Sequence, residues 1–326
     1  MSTATASPSP SATTQRAVAF VSARKAEAEA LGSSLADHVG DPDAFATALR
    51  RGLESLADPE YQEGVQYVAP GIGPVLGVRR PLLAAVSRAF RHETRGERAT
   101  QLLFIADRLF REPHLEGRWF AFGLLERTLA DDPERTWQLL RRAAREAGDW
   151  VTVDDLAHPY GIGIAAETYR WAELEQLVYS PSRWERRLIA STIATMTHGN
   201  RRTGRAPDLV PTALGLLDQL MGDAEPDVQK ALAWAYRSLA QRDLVATTAA
   251  LHRQADFAVE GADGHRAWVV RDSLTKLAAD DADQLRARLA GIRRHSGAPS
   301  TSAAATTAAR FGALPDPINH PEPPLI

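Results

Sequence analysis

The chain has 326 residues, 44% of them hydrophobic and 24% charged, which is enough for one large folded unit with its own core. It has no cysteine, which excludes disulfides, thiolate metal sites and a cysteine nucleophile. The formal net charge of −3 is low for a nucleic-acid binder, so such a role would need positive charge clustered locally. Alanine is abundant and β-branched runs are rare, which favours helix over strand. Residues 1–15 are rich in Ser, Thr, Ala and Pro without a basic region followed by an apolar run, and no apolar stretch approaches the ~20 residues of a membrane span. A soluble, bacterial-type cytoplasmic protein with no membrane partner is expected.

From the N-terminus, residues 1–15 read as a disordered tail. Helical periodicity then predicts elements near 17–38, 42–57, 79–92, 97–111, 115–130, 133–147, 166–178, 182–197, 207–221, 226–241, 243–256, 265–279 and 281–294. Breaks fall at Asp41-Pro42, Asp58-Pro59, Glu112-Pro113, Asp132-Pro133, Ser180-Pro181 and Glu225-Pro226, several of which place Pro just inside a helix start after a capping residue. The stretch 295–326 is Ser/Ala/Thr-rich, then Pro-rich, and reads as a second disordered tail. Helices of this length joined by short turns predict an all-α α-solenoid of stacked antiparallel pairs, HEAT-like in rhythm, forming a single unit over 16–294. No strict sequence period supports it; the rhythm of the helices does.

Three segments carry residues of chemical interest. On the helix over 226–241, Val228, Ala231, Leu232, Ala235 and Leu239 form one apolar stripe. Trp234 lies about 120° from that stripe at about 100° per residue, on the side of Lys230, Arg237 and Gln241. A Trp between two cations suits contact with a DNA backbone; the plainer reading is a Trp buried against a neighbouring helix. On the helix over 182–197, Leu188, Ile189, Thr192, Ile193 and Met196 define the buried side and Arg187 points away from it, with Arg186 nearby. The following loop holds Arg201, Arg202 and Arg205, so this stretch concentrates positive charge suited to phosphate; a solvated face is the alternative. Between them in kind is Gly148 to Asp155, where Trp150 and Asp154 stand one helical turn apart and share a face. An aromatic plate beside a carboxylate can hold a sugar or a cation; the alternative is a helix start with acids at its positive end. Gly71-Ile72-Gly73-Pro74 lacks the preceding strand of a nucleotide loop, and the nine His show no metal-ligand spacing.

These segments, in this order, resemble the AlkD-type DNA alkylation repair family, the HEAT-like-repeat DNA glycosylases. Asp149-Trp150-Val151-Thr152-Val153-Asp154 is similar to the family's Trp-x-x-x-Asp motif, Trp184-Glu185-Arg186-Arg187 to its Trp-x-x-Arg helix, and Lys230-Ala231-Leu232-Ala233-Trp234 with Arg237 to its Lys-Ala-Ile-x-Trp-x-Leu-Arg helix. Upstream, Tyr67 to Arg80, with the turn Val75-Leu76-Gly77-Val78, and Glu116 to Ala121 are similar to further family segments, so the resemblance spans about 43–280. It implies a solenoid with a concave, basic DNA-binding groove and hydrolysis of the N-glycosidic bond of cationic N3- and N7-alkylpurines in double-stranded DNA. It implies a monomer with no metal and no cofactor, and no pocket holding the base. By the same resemblance Asp154 is the catalytic carboxylate, Trp150 and Trp234 frame the deoxyribose, Arg187 binds the backbone near the lesion, and Tyr67 lines the site. Asp149 stands where the family often has a Trp, Val151 where it has an Asp and Val75 where it has a Phe. The Arg201–Arg205 loop is longer than is usual in the family, and the helix near 17–38 is an addition to it. Two other readings stay open: a non-catalytic solenoid binding bent or branched DNA, and a protein-interaction scaffold.

Overall fold

The computed structural model describes residues 11–197, 209–295, 298 and 300–310. Among them every regular element is helical. The α-helices are α1 (Ala12–Ser34), α2 (Pro42–Ser55), α3 (Pro59–Val68), α4 (Arg80–Glu93), α5 (Ala99–Leu109), α6 (Leu115–Thr128), α7 (Pro133–Glu146) and α8 (Trp150–Ala166). They continue as α9 (Trp171–Leu177), α10 (Arg183–Met196), α11 (Val210–Leu220), α12 (Pro226–Ala240), α13 (Leu244–Glu260), α14 (Gly264–Ser273), α15 (Ala279–Arg288) and α16 (Ala303–Ala309). The described residues hold no helix long and apolar enough to cross a membrane.

Six of the helix starts are set by aspartates. Asp41, Asp58 and Asp132 each accept hydrogen bonds from first-turn amides while Pro takes the first helical position. Proline has no N–H to leave unsatisfied there, and its fixed φ already suits a helix. Asp149, Asp243 and Asp263 cap α8, α13 and α14 in the same way without the proline.

Contacts divide the chain into two compact units, one up to Leu124 and one from Leu125 onward, where periodicity had suggested a single unit. In the first, α1 packs along α4 and α2 against α5. Phe45, Phe90 and Phe120 meet in its core with ring centroids 5.2–5.8 Å apart. The segment before α4 is pinned by a buried carboxylate. Glu116 accepts the amides of Leu76 at 3.0 Å, Gly77 at 2.8 Å and Val78 at 3.1 Å. Gly77 sits at φ +88°, and a Cβ there would collide with Gln62 and the Asp58 carbonyl, so only glycine allows the approach.

In the second unit α8, α10, α12 and α14 pack in series, with α7, α11 and α13 backing them, the two-layer plan of a helical-repeat stack. Because α10 lies between α8 and α12, every residue from Arg186 to Ala194 is buried. The described part of the C-terminal stretch is docked here, which differs from the disordered tail expected of its composition. Ser300 and Ser302 hydroxyls donate to the Gly222 and Gln219 carbonyls, Arg266 donates to Thr301, and α16 packs on α11 with Ala304 fully buried. Its small hydroxyl side chains build no core of their own, but they satisfy carbonyls that the α11–α12 turn leaves open.

Besides α16, two helices are missing from the periodicity reading. α3 is only ten residues long and has no fully buried residue, so it carries a weak stripe. α8 contains Pro159, Gly161 and Gly163, which lower its apparent helicity. The two glycines are contact points: a Cβ at Gly161 would meet Met196, and one at Gly163 the Trp137 ring.

Glu116→Ala leaves three amides without their acceptor and is expected to cost about 3 kcal/mol. The measurement is the urea midpoint at pH 7; a midpoint equal to wild type would show that water replaces Glu116 without loss.

Candidate functional site

Asp149 opens α8 by accepting the Thr152 amide and the Thr152 hydroxyl, both at 2.7 Å. That cap explains why a carboxylate serves at this position, and it sets the first turn so that Trp150 and Asp154 fall on one face. Both side chains are half-buried, Asp154 being 21% exposed.

Across from them stand Arg187 and Ser191, themselves one turn apart on α10. Arg187 grips Asp154 with two parallel bonds, Nε to Oδ1 at 3.1 Å and Nη2 to Oδ2 at 2.8 Å. Its third nitrogen, Nη1, donates to the Asp227 carbonyl in the first turn of α12 at 2.6 Å. Ser191 donates to Oδ1 at 2.6 Å. The Arg187 guanidinium carbon lies 5.8 Å from the Trp150 ring centroid. One arginine therefore joins α8, α10 and α12 around one carboxylate.

Four acceptor positions belong to a carboxylate, two on each oxygen. Among the described residues Arg187 and Ser191 use three, so one remains on Oδ2. The result is a fixed negative charge with one open coordination direction beside an aromatic face, an arrangement that stabilises a transient cation or orients a water molecule.

α12 carries Trp234, the other aromatic residue singled out by the sequence. Beyond the exposed Pro226, its open residues Asp227, Lys230, Trp234 and Arg237 recur at helical spacing as a single stripe, while the rest of the helix is buried. Trp234 is half-buried and Lys230 exposed. Arg237 donates to Asp272, to its carbonyl at 2.8 Å and its carboxylate at 2.7 Å. The opposite side of α12 is sealed: Tyr236 is fully buried, burial pushes its hydroxyl up in pKa, and it donates to Asp218 at 3.3 Å.

Two arginines differ from the sequence reading. Arg187 is expected there to point away from the buried side, yet it is only 5% exposed, because α8 and α12 both cover that side of α10. Arg186 is 4% exposed and bonded to Asp223 at 2.8 Å and to the Ser180 and Pro181 carbonyls. It braces α10 to the turn before α12 instead of facing phosphate. Tyr67 lies in the first unit, at the end of α3, 88% exposed. Arg201 and Arg202 lie outside the described residues, as does Arg205.

Ser191 and the Asp227 carbonyl were missed by sequence reasoning. A serine in the middle of an apolar helix, one turn after a motif arginine, was the available signal for the first. The second is a main-chain atom, which no side-chain pattern reveals.

The family of DNA alkylation repair enzymes matches residues 49–277. This chain belongs to that family. α8, α10 and α12 all lie within the match, whereas α1, α15 and α16 lie outside it. A comparison with curated proteins finds no match. Membership gives the protein a role in DNA alkylation repair, with DNA as its partner.

The two basic residues Arg186 and Lys230 are expected to separate. Arg186→Ala leaves Asp223 buried without its partner and lowers stability by about 3–5 kcal/mol. Lys230→Ala leaves the urea midpoint unchanged but lowers the slope of log affinity for duplex DNA against log salt by about one. Denaturation and salt titrations of both variants check this; an Arg186→Ala protein of wild-type stability would count against the bracing role.

Proposed function

We propose that this repair protein is a monofunctional DNA glycosylase that removes cationic N3- or N7-alkylated purines from duplex DNA. The observation that carries the reading is the Asp154 carboxylate, gripped by Arg187 and Ser191 beside Trp150 with one acceptor position open.

An alkylated purine already bears positive charge, so its C1′–N bond breaks with the electron pair leaving on the base, and no acid is needed to protonate it. The sugar is left as an oxocarbenium ion, and stabilising that cation is the demanding task. Asp154 supplies a preorganised anion for it, and the faces of Trp150 and Trp234 supply π-electron density. Water then adds to C1′ and loses a proton; the free position on Oδ2 is placed to orient that water and take its proton. In this reading the exposed Lys230 binds a backbone phosphate, and Arg237, tied to Asp272, adds to the same stripe. Arg187, buried and engaged with Asp154, acts in this reading through the carboxylate more than through phosphate. Tyr67 is proposed as a further DNA contact on the strength of its exposed ring.

A second reading is favoured by the same ion pair. If Asp154 serves only to join α8 to α10, the protein binds DNA without cleaving the glycosidic bond. Release of 7-methylguanine or 3-methyladenine from duplex DNA separates the two. Wild type is expected to release base, and Asp154→Asn to lose about 10²–10³ in rate with duplex affinity within about twofold. Salt-sensitive binding without release by either protein would establish the non-catalytic reading.

A further inference from the structure

We propose that Ser191 is the positioning residue that decides which oxygen of Asp154 faces the reacting sugar. The inference rests on the glycosylase reading above and assigns a residue that lies outside the motif positions.

Arg187 alone does not make that choice. Its fork takes one acceptor position on each carboxylate oxygen and leaves one open on each. Ser191 removes the symmetry. Its hydroxyl donates to Oδ1 at 2.6 Å, the short distance of a charge-assisted O–H···O bond, and so closes the second position on that oxygen. Only Oδ2 can then meet a cation or a water molecule. Terminal rotation of a carboxylate is broad and roughly two-fold, so a third fixed bond also narrows the angle at which the anion is presented.

Local structure gives no other reason for the serine. In a helix interior serine usually bonds back to its own i−4 carbonyl or turns to solvent. Here the side chain is fully buried, and its hydroxyl crosses to a neighbouring helix. Because Ser191 is wholly inaccessible, DNA cannot touch it, and any effect on catalysis passes through Asp154.

The test compares wild type, Ser191→Ala and Ser191→Thr, each checked for its urea midpoint. Three quantities are read: single-turnover release of 7-methylguanine, affinity for an undamaged duplex, and affinity for a duplex in which a protonated pyrrolidine replaces one deoxyribose. The pyrrolidine imitates the charge of the oxocarbenium ion. Ser191→Ala is expected to slow release at least about tenfold and to weaken pyrrolidine-duplex binding about tenfold, while undamaged-duplex affinity stays within about twofold. Ser191→Thr, which keeps the hydroxyl, is expected to recover most of both losses.

If Ser191→Ala releases base and binds the pyrrolidine duplex as wild type does, the assignment is wrong. It is equally wrong if all three quantities fall together with the urea midpoint, since that is a packing effect. A wild type that neither releases base nor prefers the pyrrolidine duplex overturns the glycosylase reading, and this inference with it. A wild type that does both, beside an unaffected Ser191→Ala, overturns the Ser191 assignment alone.

Discussion

Arg187 is the joint on which the second unit's helix stack depends. Its fork holds Asp154 of α8, its remaining nitrogen holds the first turn of α12, and its backbone belongs to α10 between them. A buried guanidinium needs both its charge and its N–H groups answered, or it costs several kcal/mol. Here a carboxylate answers the charge, and a main-chain carbonyl takes a further donor. The same requirement fixes the spacing of three helices and the orientation of one anion. Structure and chemistry are therefore coupled at this residue: whatever loosens the helix stack also loosens the carboxylate.

Buried arginines recur as braces elsewhere in that unit. Arg186 ties α10 to Asp223, Arg266 ties α14 to Asp263 and the Met221 carbonyl, and Arg170 meets Glu134 and Glu167 while stacking on Trp137. Each holds an element to the one stacked beside it or to its own cap. Four buried arginines, Arg170, Arg186, Arg187 and Arg266, serve internal joints, while Lys230 on α12 stays exposed.

The helices themselves were largely legible. Aspartate-proline pairs at Asp41, Asp58 and Asp132 marked true starts because capping and proline's φ act within a few residues. α8 was not legible as a helix, although Trp150 and Asp154 were correctly placed one turn apart. Its Pro159, Gly161 and Gly163 speak against helix locally, and the packing of Met196 and Trp137 overrides them. The stretch at Ser300–Ser302 misled in the opposite direction. Composition describes whether a segment can make its own core, and this one instead uses a core already present.

Of the candidate site, the sequence alone determined the pairing of Trp150 with Asp154 and the stripe of Lys230, Trp234 and Arg237, because helical spacing is a local property. It also determined the family, through motifs lying on α8, α10 and α12. Only the tertiary structure decided which of two adjacent arginines meets Asp154, and that Ser191 completes the grip. Arg186 and Arg187 differ by about 100° around one helix, and the sequence of α10 is silent about which neighbour covers which side. Burial between α8 and α12 made that decision: a charge enclosed by two helices must find its partner on one of them.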